Sequence, residues 1–151
     1  MDIINKLCVS FLLLILPFSV LSSDLSEGVK IDKKSDAIKV DLLSKSTTSW
    51  DGSTLPAYGR GQPEISIIKV TIAPNTTLPF HKHPLINAGY LLKGELTVVS
   101  ETNEVLKMKP GDTLIELVGK WHYGKNEGKE SVEILVFYAG VEGDELSIKR
   151  H

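Results

Sequence analysis

The feature that most constrains this chain is a rhythm of short β-branched and apolar segments, each stopped by turn chemistry. The segments are "AIKVDLL" (37–43), "EISIIKVTIA" (64–73), "INAGYLL" (86–92), "ELTVVS" (95–100), "EVLKMK" (104–109), "DTLIELV" (112–118) and "SVEILVFYAG" (131–140). Between them stand Asp51-Gly52, Gly59-Arg60-Gly61, Ala73-Pro74-Asn75, Lys93-Gly94, Thr102-Asn103, Lys109-Pro110-Gly111-Asp112 and Asn126-Glu127-Gly128. Such residues favour turns because they accept or impose the backbone angles that turns need. No apolar i, i+3, i+4, i+7 run follows the N-terminal stretch, so the pattern predicts an all-β fold, a barrel or two-sheet sandwich, in one domain over residues 37–151. In "EISIIKVTIA" the set Ser66, Ile68, Val70 and Ile72 is the more apolar face, against Ile65, Ile67, Lys69 and Thr71. "ELTVVSETNEVLKMK" reads as a hairpin turning at Thr102-Asn103.

The first residues, "MDIINKLCVSFLLLILPFSVLSS", combine a short polar start containing Lys6, an apolar run from Leu7 to Leu21 and small polar residues. This layout predicts a secretory signal peptide over 1–23, cut before Ser23 or Asp24, with an uncleaved anchor as the alternative. The apolar run is short for a membrane span, which takes about 20 residues. A polar arm follows over 24–36. The chain's single cysteine, Cys8, lies in the leader. The expected mature protein therefore has no disulfide and no thiolate ligand, and the expected location is the periplasm or outside the cell. A formal net charge of −2 and the lack of any Lys/Arg stripe speak against nucleic acid as a partner.

Two of the chain's four histidines, His81 and His83, are one residue apart. In an extended strand they point to the same side, roughly 6.5–7 Å apart along the chain, a spacing at which two imidazoles can meet one ion. A third, His122, can be brought in from a neighbouring strand. Neutral imidazole suits iron, manganese, zinc, nickel or copper, so these residues can hold one divalent metal ion of unspecified identity, although two histidines one apart are also common by chance. His151 reads as a solvated tail.

These segments resemble the two motifs of the cupin superfamily, G-x5-H-x-H-x3,4-E-x6-G and G-x5-P-x-G-x2-H-x3-N. Here the first runs His81, His83, Asn87, Gly94 and the second Gly111, Leu117, Gly119, His122, Asn126, with every spacing kept. Asn75 stands in place of the first glycine, Asn87 in place of the glutamate and Leu117 in place of the proline. The resemblance implies a cupin-type jelly-roll β-barrel with His81, His83 and His122 as metal ligands and the amide of Asn87 at the fourth position. It also implies a homodimer, since edge strands of cupin barrels often pair between subunits.

Asparagine offers a neutral carbonyl where glutamate would bring a negative charge. Three histidines alone leave the ion its full charge and open positions, which favour a small anionic organic molecule or activated oxygen. That ligand set resembles three-histidine cupins such as the thiol dioxygenases and diketone-cleaving enzymes, and dioxygenase-like oxidative cleavage is the first enzymatic expectation. The alternatives are a non-catalytic periplasmic small-molecule binding protein with little or no metal and a sugar isomerase-type cupin. No catalytic residue can be assigned. Glu116, Trp121, Tyr90 and Asn126 are candidates for the pocket wall or for orienting a ligand. The simpler expectation turns Glu116 to solvent and packs Tyr58, Tyr90, Tyr123 and Tyr138 with their hydroxyls at a rim.

Overall fold

The structure, a computed structural model, describes residues 38–150. The leader, the arm and His151 lie outside the described residues. The chain divides into Met1–Lys39 and Val40–His151, and apart from Ile38 and Lys39 everything below concerns the second unit.

Ten strands and no helix are present among the described residues: β1 (Pro63–Ile72), β2 (Thr76–Thr77), β3 (His81–Lys82), β4 (Ile86–Lys93), β5 (Leu96–Ser100), β6 (Val105–Met108), β7 (Thr113–Ile115), β8 (His122–Asn126), β9 (Val132–Val141) and β10 (Ile148–Lys149). They form a four-stranded sheet, β1-β9-β4-β7, and a six-stranded one ordered β10-β3-β8-β5-β6, with β2 paired to β8. The pairings between named strands are antiparallel. From β3 onward the chain repeatedly crosses between the sheets, as a jelly roll does.

Alternation explains which faces are buried. In β1 the set ending at Ile72 turns inward while Ile65 and Ile67 stay exposed. In β4, Asn87, Gly89 and Leu91 point in. Leu91, Val132, Ile134, Leu114, Leu96, Val98 and Met108 then pack together from both sheets. Each such apolar side chain contributes about 1.5–3 kcal/mol on leaving water. The β5–β6 hairpin pairs Leu96 with Met108 and Val99 with Val105, and Asn103 in its turn takes φ 65°.

Two sequence expectations need correction. Residues 38–43 form no strand and are exposed, because β-propensity is a weak preference that context overrides. The segment 112–118 is a strand only over Thr113–Ile115, beyond which Glu116 and Val118 leave the regular ladder, Val118 to make an isolated parallel bridge to His83. The short strands β2, β3, β8 and β10 were too brief or too polar to stand out as segments.

Candidate metal centre

β3 and β8 lie side by side with His81 opposite His122, and His83 follows two residues after His81. The three ligand nitrogens lie within 4.8 Å of one another, a group that can hold a metal ion. Ring centroids are 4.5 Å apart for His81 and His122, 5.0 Å for His81 and His83, and 5.1 Å for His83 and His122. Gly119 supplies the turn before β8. Its φ of 73° suits glycine, and its N–H donates to His83 O at 2.8 Å, tying the two histidine segments together.

Each ring is fixed from behind. The Nδ1 atoms of His81, His83 and His122 sit 2.9 Å from Pro79 O, 2.7 Å from Leu146 O and 3.1 Å from Lys120 O. A carbonyl oxygen only accepts, so each Nδ1 carries the proton and each Nε2 presents a lone pair. His122 is 1% exposed, and its Nε2 has no hydrogen-bond partner. An orphaned buried lone pair is costly unless something takes it up, and a divalent ion fits that need. Burial pushes His83 down to about 4, with the neighbouring His122 and His81 adding to the effect. Burial and His81 likewise push His122 down to about 4. Both rings are therefore neutral near pH 7, the form that ligates metal.

The four-stranded sheet faces this cluster with a polar row. Asn87 pairs with Tyr138 on β9, and on its other side Asn87 O accepts from Glu116 N at 3.0 Å. Burial, with the Glu116 charge adding, pushes the Tyr138 phenol up to about 12, so it keeps its proton. Its ring meets that of His83 edge-on at 5.5 Å. Rather than facing solvent, Glu116 is 8% exposed, and its Oε2 lies 3.6 Å from His122 Nε2. With His122 neutral this contact is not an ion pair, and burial raises the Glu116 carboxyl. The histidines, facing Asn87, Glu116 and Tyr138, are the polar lining of a cavity of about 90 Å³, whose apolar lining includes Ile72, Leu96, Val98, Leu114, Ile134 and Val136. Gly89 leaves this space free, since a Cβ there would come within 2.5 Å of Leu114 Cδ2.

The other candidates lie away from the cavity. Tyr90 is on the outer face of β4, in a depression shared with Leu43 and Phe137. Trp121 is half-buried under Lys82 Nζ at 4.9 Å and the Arg150 guanidinium at 5.6 Å from its ring. Asn126 is fully buried but structural: its Nδ2 donates to Ile72 O, Ala73 O and Glu130 O, and its Oδ1 accepts from Gly128 N. Tyr58 is exposed, and Tyr123 packs on Phe80 with ring centroids 4.8 Å apart. Asn75, standing at the first motif glycine, has φ 52°, which asparagine tolerates better than most residues.

Sequence reasoning passed over Ser49, Trp50 and the carbonyl of Leu146, which reach the site from loops. Ser49 Oγ donates to Glu116 O at 2.8 Å, and Trp50 Nε1 to Glu116 Oε1 at 3.0 Å. Strand phase did hold a signal for two others: Glu116 is in step with inward Leu114, and Tyr138 with inward Val132 and Ile134.

Comparison with known proteins agrees with this geometry. Residues 68–138 match the family model described as "Cupin domain", and this part of the chain is a cupin domain. A germin-like protein of Morus alba is 32% identical over 97 residues, covering 61% of this chain and 45% of that protein. The chain thus spans less than half the length of that curated relative. The DMSP lyase DddQ from Ruegeria pomeroyi superposes with a TM-score of 0.50 at 21% identity, over 56% of this chain and 42% of that one. An oxalate decarboxylase of Lactobacillus farciminis, in a formate complex, gives 0.50 at 22% identity, over 56% and 26%. At these identities the likeness to both structures is one of fold.

Proposed function

We propose that this protein holds one divalent transition-metal ion through His81, His83 and His122 and acts on a small organic anion in an oxygen-dependent, dioxygenase-like oxidation. The observation that carries the reading is the buried, unpartnered His122 Nε2 in a cluster whose three Nδ1 atoms are all committed to carbonyls. Such an ion supplies Lewis acidity and positions open to an anionic ligand or oxygen. The chain's own groups do the rest. The Nδ1 bonds hold each Nε2 in place, Tyr138 keeps a proton beside the histidines, and the apolar wall excludes bulk water. A cavity of about 90 Å³ is far below the roughly 300–1,000 Å³ of drug-sized pockets, which limits the visitor to a few heavy atoms and speaks against a sugar.

Metal analysis of the purified protein, beside His81→Ala and His122→Ala, tests the centre. About one equivalent of metal in the wild type and a clear loss in both variants is expected; no bound metal in the wild type overturns the reading. Oxygen uptake with small thiols, diketones and phenols tests the chemistry, and metal binding without uptake favours the binding-protein alternative.

Export belongs to the same proposal, supported by the composition of residues 1–23. Mass analysis of the protein from the periplasmic fraction should show a start at Ser23 or Asp24, and an uncut chain in the membrane fraction would refute it. Pairing of two copies is supported by the apolar side chains that the first sheet exposes, Ile65, Ile67 and Phe137. Light scattering should show a dimer that Ile67→Lys weakens.

A further inference from the structure

Position 87 carries an amide where the cupin motif has glutamate, yet the cavity still contains a carboxylate. Glu116 N donates to Asn87 O at 3.0 Å, so positions 87 and 116 are neighbours just beyond the end of the β4–β7 ladder, and both side chains are buried. The Glu116 carboxylate is held in one orientation. Its Oε1 accepts from Trp50 Nε1 at 3.0 Å and from Leu117 N at 2.8 Å. Ser49 Oγ and Trp50 N fix the adjoining backbone through Glu116 O at 2.8 Å and Ile115 O at 2.9 Å. With Oε1 occupied, Oε2 faces the unpartnered His122 Nε2 at 3.6 Å. Two atoms bound to one tetrahedral ion at about 2.1 Å each lie about 3.4 Å apart.

Resting on the metal-centre reading above, we propose that Glu116 is the fourth metal ligand, a carboxylate moved from position 87 to the neighbouring position just past β7. Leu117 links this to a second departure from the motif. The motif has proline there, and proline has no N–H. A proline at 117 would remove one of the two donors that hold Glu116 Oε1. The substitutions at 87 and 117 thus belong to one rearrangement: the carboxylate leaves one strand, and the backbone N–H that steadies it appears on the next. A single carboxylate lowers the charge of a three-histidine divalent centre from +2 to +1, which still attracts a small anion.

The test compares wild type, Glu116→Gln, Glu116→Asp and the double variant Asn87→Glu/Glu116→Gln, loaded with Co(II) and titrated with a competing chelator. Gln keeps an acceptor for Trp50 and Leu117, and Asp keeps the charge but withdraws it by one methylene. Melting of each metal-free variant checks that it is folded. Glu116→Gln should weaken cobalt retention by roughly 100-fold and change the visible spectrum of the bound cobalt. Glu116→Asp should change the spectrum as well, and the double variant should recover most of the lost affinity. Wild-type affinity and spectrum in both single variants overturn the assignment of Glu116 while leaving the three-histidine centre intact. Failure of the wild type itself to bind cobalt more tightly than His122→Ala overturns the centre instead.

Discussion

Burial beside other imidazoles disfavours protonation of His83 and His122, and that has a measurable consequence for the metal-free protein. His83 and His122 are held down to about 4, against about 6.5 in an unfolded chain. Below pH 6.5 the unfolded state therefore binds protons that the folded state refuses, and stability falls as the pH drops from about 6.5 towards 4. The loss is on the order of 3 kcal/mol for each imidazole. Glu116 works in the opposite sense. Its raised pKa means that the folded state holds a proton the unfolded state has released, so its contribution is lost as the pH rises above about 4.5. Melting of the metal-free protein between pH 7 and 4 should show a falling midpoint, and a steeper fall in Glu116→Gln. A flat profile would mean that the imidazoles are not held neutral. Asn126 makes a separate prediction. Its amide serves three carbonyls and one N–H in a fully buried setting. Asn126→Ala should cost about 3 kcal/mol in chemical denaturation, because the stranded groups lose their partners.

Among the elements, the least conspicuous pieces of chain do the most for the site. β10 pairs Ile148 with Lys82 and Lys149 with His81, and just before it Leu146 O anchors His83 Nδ1. Ending the chain after Gly143 removes this strap while leaving the long β1–β9 and β4–β9 ladders in place. Metal retention should fall by roughly 10–100-fold while the remaining protein still melts cooperatively. Undiminished retention would show that the strap does not position His83. The loop carrying Ser49 and Trp50 has the same kind of task for Glu116. Strand phase made β1, β4, β5, β6 and β9 legible, whereas the sequence reading turned Glu116 to solvent although it is in phase with inward Leu114. Strand phase could not reveal β3 or β10, since strands of two residues carry too few alternations to be told from loop, nor β8, whose HYGKN sequence has no apolar alternation. Nor could it reveal Trp50 or Leu146 O, whose roles arise from contacts between segments 66 and 63 residues apart.

For the molecule as a unit, metal binding and folding are linked. His81 and His122 lie on adjacent strands of one sheet, and Asn87, Glu116 and Tyr138 face them across the cavity, so the complete surroundings of the centre form only when both sheets have packed. A metal that binds only the folded form stabilises it by about 4 kcal/mol at a thousand times its dissociation constant. Saturating Zn(II) or Co(II) should raise the melting temperature, a chelator should reverse the rise, and His122→Ala should abolish it. Leu91→Ala, in the core, should cost about 2–5 kcal/mol with or without metal.

Alternation and turn residues by themselves determined the all-β class, the inward faces of the long strands and the three histidines, because these depend on local periods of two and on residue chemistry. The spacing between the histidine segments also made the cupin pattern legible and marked Asn87 as a departure from it. What surrounds that departure was decided only by the tertiary structure. Strand pairing sets position 116 beside position 87, and the buried Oε2 of Glu116 then faces His122 Nε2. That neighbour is 29 residues away along the chain, and a ladder register joining such distant residues is set by packing of the whole sandwich.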